Sequence, residues 1–119
     1  MALKATIRKM DGATVVDLSG VILFGEESAY LRTLVKGLLN ESHEIVFDLG
    51  NVTRIDSGGL GTLVGLYASA RKLGGDIKLA SLRGHANEVL QITKLMTVFE
   101  TFDRAEDAAA SFRRAAAAS

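Results

Sequence analysis

The sequence predicts an α/β fold: a mixed, mostly parallel β-sheet of about five strands with about four α-helices. Three observations predict it. Short strand-like runs alternate with segments whose apolar residues fall at i, i+3, i+4 and i+7. Gly or Asp-Gly marks the breaks between them. The 119 residues are one domain's length, and 48% hydrophobic against 24% charged is the balance of a folded chain. The expectation is one domain over 1–119 whose Ala-rich end, 113–119, frays.

Leu3, Ala5 and Ile7 alternate with Lys4, Thr6 and Arg8, which predicts a half-buried strand. Asp11-Gly12 supplies a turn, and Thr14–Ser19 is a second strand, so the chain opens as a hairpin. The apolar stretch Gly20–Gly25 is read as a loop or strand end. Ser28 is expected to cap a first helix that runs to Leu39 and buries Leu31, Leu34, Val35 and Leu38.

Glu44–Leu49 is a short apolar run, the mark of a central strand covered on both faces. Asp56-Ser57-Gly58-Gly59 ends that pattern. A second helix follows with Leu60, Leu63, Val64 and Tyr67 on one face, stopped by Gly74-Gly75. Asp76–Ala80 reads as the next strand, and His85–Lys94 as a third helix with Ala86, Val89, Leu90 and Thr93 inward. Val98–Phe102 is the last strand, and a fourth helix from about Ala105 turns Ala108, Ala109 and Phe112 inward. The order β-β-α-β-α-β-α-β-α requires at least one antiparallel strand, from the hairpin, in a parallel sheet.

Composition removes several classes. There is no Cys, hence no disulfide framework, thiolate metal site or cysteine nucleophile. Fourteen basic residues balance fourteen acidic ones, and a net charge of zero argues against phosphate-driven nucleic-acid binding. The basic doublets Arg8-Lys9, Arg71-Lys72 and Arg113-Arg114 read as solvated faces. Lys4 and Arg8 interrupt the N-terminus too early for a signal peptide, and no run reaches the roughly 18–20 apolar residues of a membrane span. A soluble, cytoplasmic protein without membrane insertion is expected.

In parallel α/β sheets, sites form where strands end and helices begin. The richest such junction is Asn51–Gly61. Asp56 or Ser57 is placed to cap the second helix. Gly58, Gly59 and Gly61 leave its first turn without side chains, which admits a partner or a phosphate and equally serves tight helix packing. Each weakens the helix by roughly 0.8–1.0 kcal/mol relative to Ala. The segment is neither G-x-G-x-x-G, a P-loop, nor a G-x-S-x-G elbow. A hydrolytic Ser57 needs a base. His85 is expected at the same end of the sheet, His43 at the opposite end as a solvated loop residue. Two isolated histidines show no metal spacing. No catalytic residue, metal or cofactor is assigned.

Asp56-Ser57-Gly58-Gly59-Leu60-Gly61, following Val46-Phe47-Asp48-Leu49 and Ile55, resembles the Asp-Ser-Ser/Thr-Gly-Leu-Gly signature of STAS domains, which include the bacterial anti-sigma-factor antagonists. The resemblance continues through Gly74-Gly75, Ile77-Lys78-Leu79 and Val89–Leu95 to Val98-Phe99, nearly the whole chain. It implies a partner-switching protein, not an enzyme. The unphosphorylated form binds an anti-sigma factor that is also a serine kinase, phosphorylation of Ser57 releases it, and a serine phosphatase of the PP2C type resets the cycle. The implied partner surface is Asp56, Ser57, Gly58, Gly59, Leu60 and Gly61, on a monomer or weak dimer. The chain departs from the family in two places. Gly58 stands where Ser or Thr is usual, and Gly20–Gly25 lacks the acids of a Gly-Glu/Asp-Leu/Ile-Asp stretch, with Glu26-Glu27 following. Two other readings compete: a STAS subunit of a signalling scaffold or lipid-transport complex that is never phosphorylated, and a small nucleotide-binding protein or hydrolase.

Overall fold

The computed structural model describes residues 2–118, with side chains described as far as Arg114. The order is β1 (Leu3–Met10), β2 (Ala13–Ile22), α1 (Glu26–Leu39), β3 (Glu44–Ile55), α2 (Ser57–Lys72), β4 (Asp76–Ala80), α3 (Gly84–Ile92), a 3₁₀ turn at Leu95–Thr97, β5 (Thr101–Phe102) and α4 (Ala105–Ala118). The expected fraying concerns 113–119, of which Ser119 lies outside the described residues and Ala115–Ala118 are described as helix backbone only.

The strands lie side by side in chain order. β1 runs antiparallel to β2, and every other pair is parallel. The hairpin turns on Asp11 and Gly12, both at positive φ (52° and 82°), the geometry that Asp-Gly favours. The sheet is covered on both faces, as the apolar run in β3 predicts. Ile45, Phe47 and Leu49 point into a larger core with Leu31 and Val35 of α1, Leu63 and Leu66 of α2, and Leu90 of α3. Val46, one position out of phase, points to the other face and packs with Val15, Ala80 and the Ala108, Ala109 and Phe112 stripe of α4.

The expected elements need correction at several points. Ser28 does not cap α1: Gly25 is the cap position, and Ser28 is buried one turn inside, its hydroxyl donating to the Leu23 carbonyl at 2.7 Å. The Gly20–Gly25 stretch realises both of its alternatives, since β2 runs past Ser19 to Ile22 and Leu23–Gly25 form the loop. β3 does not stop at Leu49 but continues to Ile55, paired there with Ser19–Ile22 of β2 alone, since pairing with β4 ends at Asp48↔Ala80. The last strand is only Thr101–Phe102, because Leu95–Thr97 coil into a 3₁₀ turn that carries Phe99 into the core, where its ring meets Tyr67 edge-on at 5.0 Å. α3 also ends at Ile92, which leaves Thr93 exposed instead of inward.

Candidate functional site: the β3–α2 junction

The long β3 carries the chain past the edge of β4 and delivers Asp56 to the start of α2. Asp56 has extended backbone (φ −98°, ψ −179°), and its Oδ1 accepts the Gly59 N–H at 2.8 Å, the geometry of an N-cap. The same carboxylate accepts the Phe24 N–H at 3.0 and 3.1 Å. It thereby ties the β2–α1 loop to the N-terminus of α2. These donors hold the Asp56 carboxyl below the usual carboxylate range: the Gly59 amide first, then the Phe24 amide, with smaller help from Gly58 and the Arg54 charge. Of the two cap candidates, the structure therefore uses Asp56. Ser57 is the first residue of the helix and is exposed.

The glycines of this turn have different causes. A Cβ on Gly59 would stand 2.0 Å from the Ile22 carbonyl oxygen, so glycine is what lets α2 lie against the end of β2. A Cβ on Gly58 would stand 2.4 Å from Cβ of Phe24. At Gly61 a Cβ would meet nothing within 4 Å. Of the two alternatives for these glycines, tight packing accounts for Gly58 and Gly59, and no packing within the domain accounts for Gly61. Gly59 is buried with its amide committed to Asp56, and Gly58 lies under Phe24. Leu60 is half-buried against the larger core.

Phe24 is the site residue that sequence reasoning missed. It is 80% exposed although its backbone is fixed by Asp56. The two departures noted above, at Gly58 and in the apolar Gly20–Gly25 stretch, are one packing solution: a side chain at 58 would collide with Phe24. The signal was an aromatic directly before Gly25, in a segment too short to be core on its own.

His85 does lie at this end of the sheet, but its Nε2 stands 3.3 Å from the Ile55 carbonyl. That ring braces the unpaired edge of β3, as does Arg83, which donates to the Gly50 carbonyl at 3.0 Å. His43 is at the opposite end, before β3, where its carbonyl accepts the Asp76 N–H at 2.9 Å. Among the described residues no three His, Asp or Glu side chains are grouped as a metal site would need, and no helix is long and apolar enough to cross a membrane. Beside the junction a groove of roughly 440 Å³ opens between α1 and α2, with Phe24 and Gly58 at one end.

A family model described as the STAS domain matches residues 4–108. BtrV of Bordetella bronchiseptica, provisionally named an anti-sigma factor antagonist, is 28% identical over 113 residues, 95% of this chain and 97% of that protein. The crystal structure of an anti-sigma factor antagonist from Mycobacterium paratuberculosis superposes with a TM-score of 0.78 at 26% identity, covering 93% of this chain and 94% of that one. The Bacillus cell fate determinant SpoIIAA in its phosphorylated form shares the fold, with a TM-score of 0.68 at 16% identity over 88% of this chain and 96% of that one.

Proposed function

The chain belongs to the STAS domain family, and on that premise we propose that it is an anti-sigma-factor antagonist switched by phosphorylation of Ser57. In this reading the unphosphorylated protein binds an anti-sigma factor with serine-kinase activity and frees the sigma factor. ATP-dependent phosphorylation of Ser57 breaks the complex, and a phosphatase restores it. The observation that carries the reading is the placement of Ser57. Its exposed side chain opens α2 directly beside Phe24, a large apolar group held out in solvent by a fixed backbone. A polar acceptor next to a rigid aromatic anchor is what a switchable contact requires.

Phosphate would bring about −1.5 to −2 charge and three acceptor oxygens to Ser57. The helix N-terminus favours it by roughly 0.3–1 kcal/mol at an exposed site. The neighbouring Asp56 carboxylate opposes it, and the Gly59 amide is already taken. These terms nearly cancel, so the fold should stay as it is. The consequence falls on the interface. A dianion buried there without a partner costs about 3–5 kcal/mol, a hundredfold or more in affinity.

The test is incubation with ATP, with and without a purified anti-sigma-factor serine kinase from the same organism, followed by phosphate mapping by mass spectrometry. Phosphate on Ser57 only when kinase is present supports the proposal. A stable complex without phosphate would replace it with the scaffold-subunit reading, and ATP turnover by the protein alone would replace it with an enzymatic one.

A further inference from the structure

The groove beside Phe24 does not end with α2's first turns. A second concavity, of roughly 300 Å³, adjoins it and shares Lys36 and Ser69, so that one continuous trough runs between α1 and α2 from Phe24 to Leu73. Apolar groups stand at both ends, Phe24 80% and Leu73 49% exposed. Arg32, Lys36 and Lys72 line it, and no acidic residue does. Among the described residues none of these three cations is in a salt bridge, although Arg32 donates to the Thr62 hydroxyl at 3.3 Å. The acids of α1, Glu26 and Glu27, sit in its first turn outside the lining. In a chain of zero net charge this is a local concentration of one sign.

The floor is unusually bare. Gly61, Gly65 and Ser69 follow at every fourth position along α2 and all line the trough. A Cβ at Gly61 or Gly65 would meet nothing within 4 Å, so no packing inside the domain accounts for either glycine. Both weaken the helix relative to Ala. Small residues one turn apart let another helix approach closely, because interaxial distance is set by the side chains at the contact. Arg32 and Lys36 are also four apart, which places their charged ends about one helical turn from each other.

We propose that this trough docks an acidic amphipathic helix from the protein partner, with apolar side chains against Phe24, Leu73 and the glycine floor and carboxylates on Arg32, Lys36 and Lys72. The inference rests on the reading of the chain as a partner-binding module, and it adds the chemistry of the segment bound. The trough follows α2 for about four turns, the length of a helix of roughly sixteen residues.

The test has two arms. In the first, isotope-labelled protein is titrated with a synthetic helical peptide of about sixteen residues, Glu on one face and Leu and Phe on the other, and with the same peptide carrying Lys for Glu. The acidic peptide should shift the amides of Gly61, Gly65 and Ser69, and its affinity should fall at least tenfold in Arg32→Glu/Lys36→Glu and on raising the salt. Gly65→Leu should fill the floor and abolish binding while thermal stability is kept or raised. Equal binding of the two peptides, shifts confined to another face, or unchanged binding in these variants would overturn the proposal. In the second arm the same variants are measured against the kinase. Wild-type binding with no loss in any trough variant sinks the trough and leaves the antagonist reading intact. If wild-type protein fails to bind the kinase, the antagonist reading fails, and the peptide arm still decides the trough.

Discussion

The Asp56 carboxylate accepts the backbone N–H of Phe24 at 3.0 Å, joining positions 32 residues apart in the chain. One side chain thus caps α2 and fixes the loop that leads into α1. Because its donors stabilise the ionised form, Asp56 contributes stability that is fully present above the ordinary carboxyl value of 3.8 and is lost as pH falls through its lowered folded value. Asp56→Asn should therefore lower Tm at neutral pH, and the gap from wild type should shrink as pH drops below 3.8. Parallel melting curves from pH 7 to pH 2.5 check this. A gap that does not narrow in acid would refute the charge-based tie.

The glycines of α2 should separate by position. Gly59→Ala forces a methyl onto the Ile22 carbonyl, a backbone atom that cannot rotate away, and should cost about 1–3 kcal/mol. Gly61→Ala enters open space and should gain up to about 1 kcal/mol from helix propensity. Urea unfolding of both variants reads the two signs directly.

Gly58 and Phe24 should behave as a coupled pair. Gly58→Ser alone should destabilise, because its Cβ meets Phe24. Combined with Phe24→Gly the loss should be smaller than the sum of the single losses, with a coupling of about 0.5–3 kcal/mol. Strict additivity in the double-mutant cycle would show that the contact is incidental.

On the α4 side, Lys78 is buried at 4% exposure, its Nζ 2.6 Å from the Ser111 hydroxyl, 3.3 Å from Glu100 and 4.2 Å from the centre of the Phe112 ring. Its stem fills space and its charge is shared among these partners. Lys78→Ala should cost about 2–5 kcal/mol, as large-to-small core changes do. Lys78→Met keeps the volume without the charge and should cost much less. Chemical denaturation distinguishes the two, and equal losses would assign the stability to the charge instead of the packing.

For the proposed switch, Ser57→Ala should keep the fold and hold the kinase-binding state. Ser57→Asp should weaken kinase binding, though less than phosphate, since it adds a single charge. Calorimetric titration of the three forms gives the order, and a Ser57→Asp protein that binds like wild type would contradict the electrostatic account.

The element order was legible in the sequence because strand and helix periods are local properties. So was a cap at Asp56 or Ser57, which needs only its own helix, although only the structure chooses Asp56. What was not legible depends on distant chain. The end of β3 is polar at Asn51, Thr53 and Arg54, which are exposed beside the buried Val52 and Ile55, so it reads as loop. Ser28 has the composition of a cap but sits within reach of the Leu23 carbonyl, which only the folded path of the loop determines. Asp76–Ala80 is legible as a strand, but the burial of Lys78 within it is not, because it is α4 that covers that side chain. Phe24 over Gly58 could be seen only once the two loops were brought together.

The overhang of β3 beyond β4 also sets how an enzyme could reach this serine. From Asp48, its last residue paired with β4, to Ile55 the strand advances about 23 Å. Phosphorylation sites commonly thread into a catalytic cleft because they lie on slack chain. Here the proposed acceptor, Ser57, follows a strand that stays paired with β2 to its end and buries Val52 and Ile55 in the core. On that proposal the whole domain, not a slack segment, would have to be presented to the cleft. Selectivity among kinases would then rest on the folded surface around Ser57, with little contribution from the linear sequence beside it.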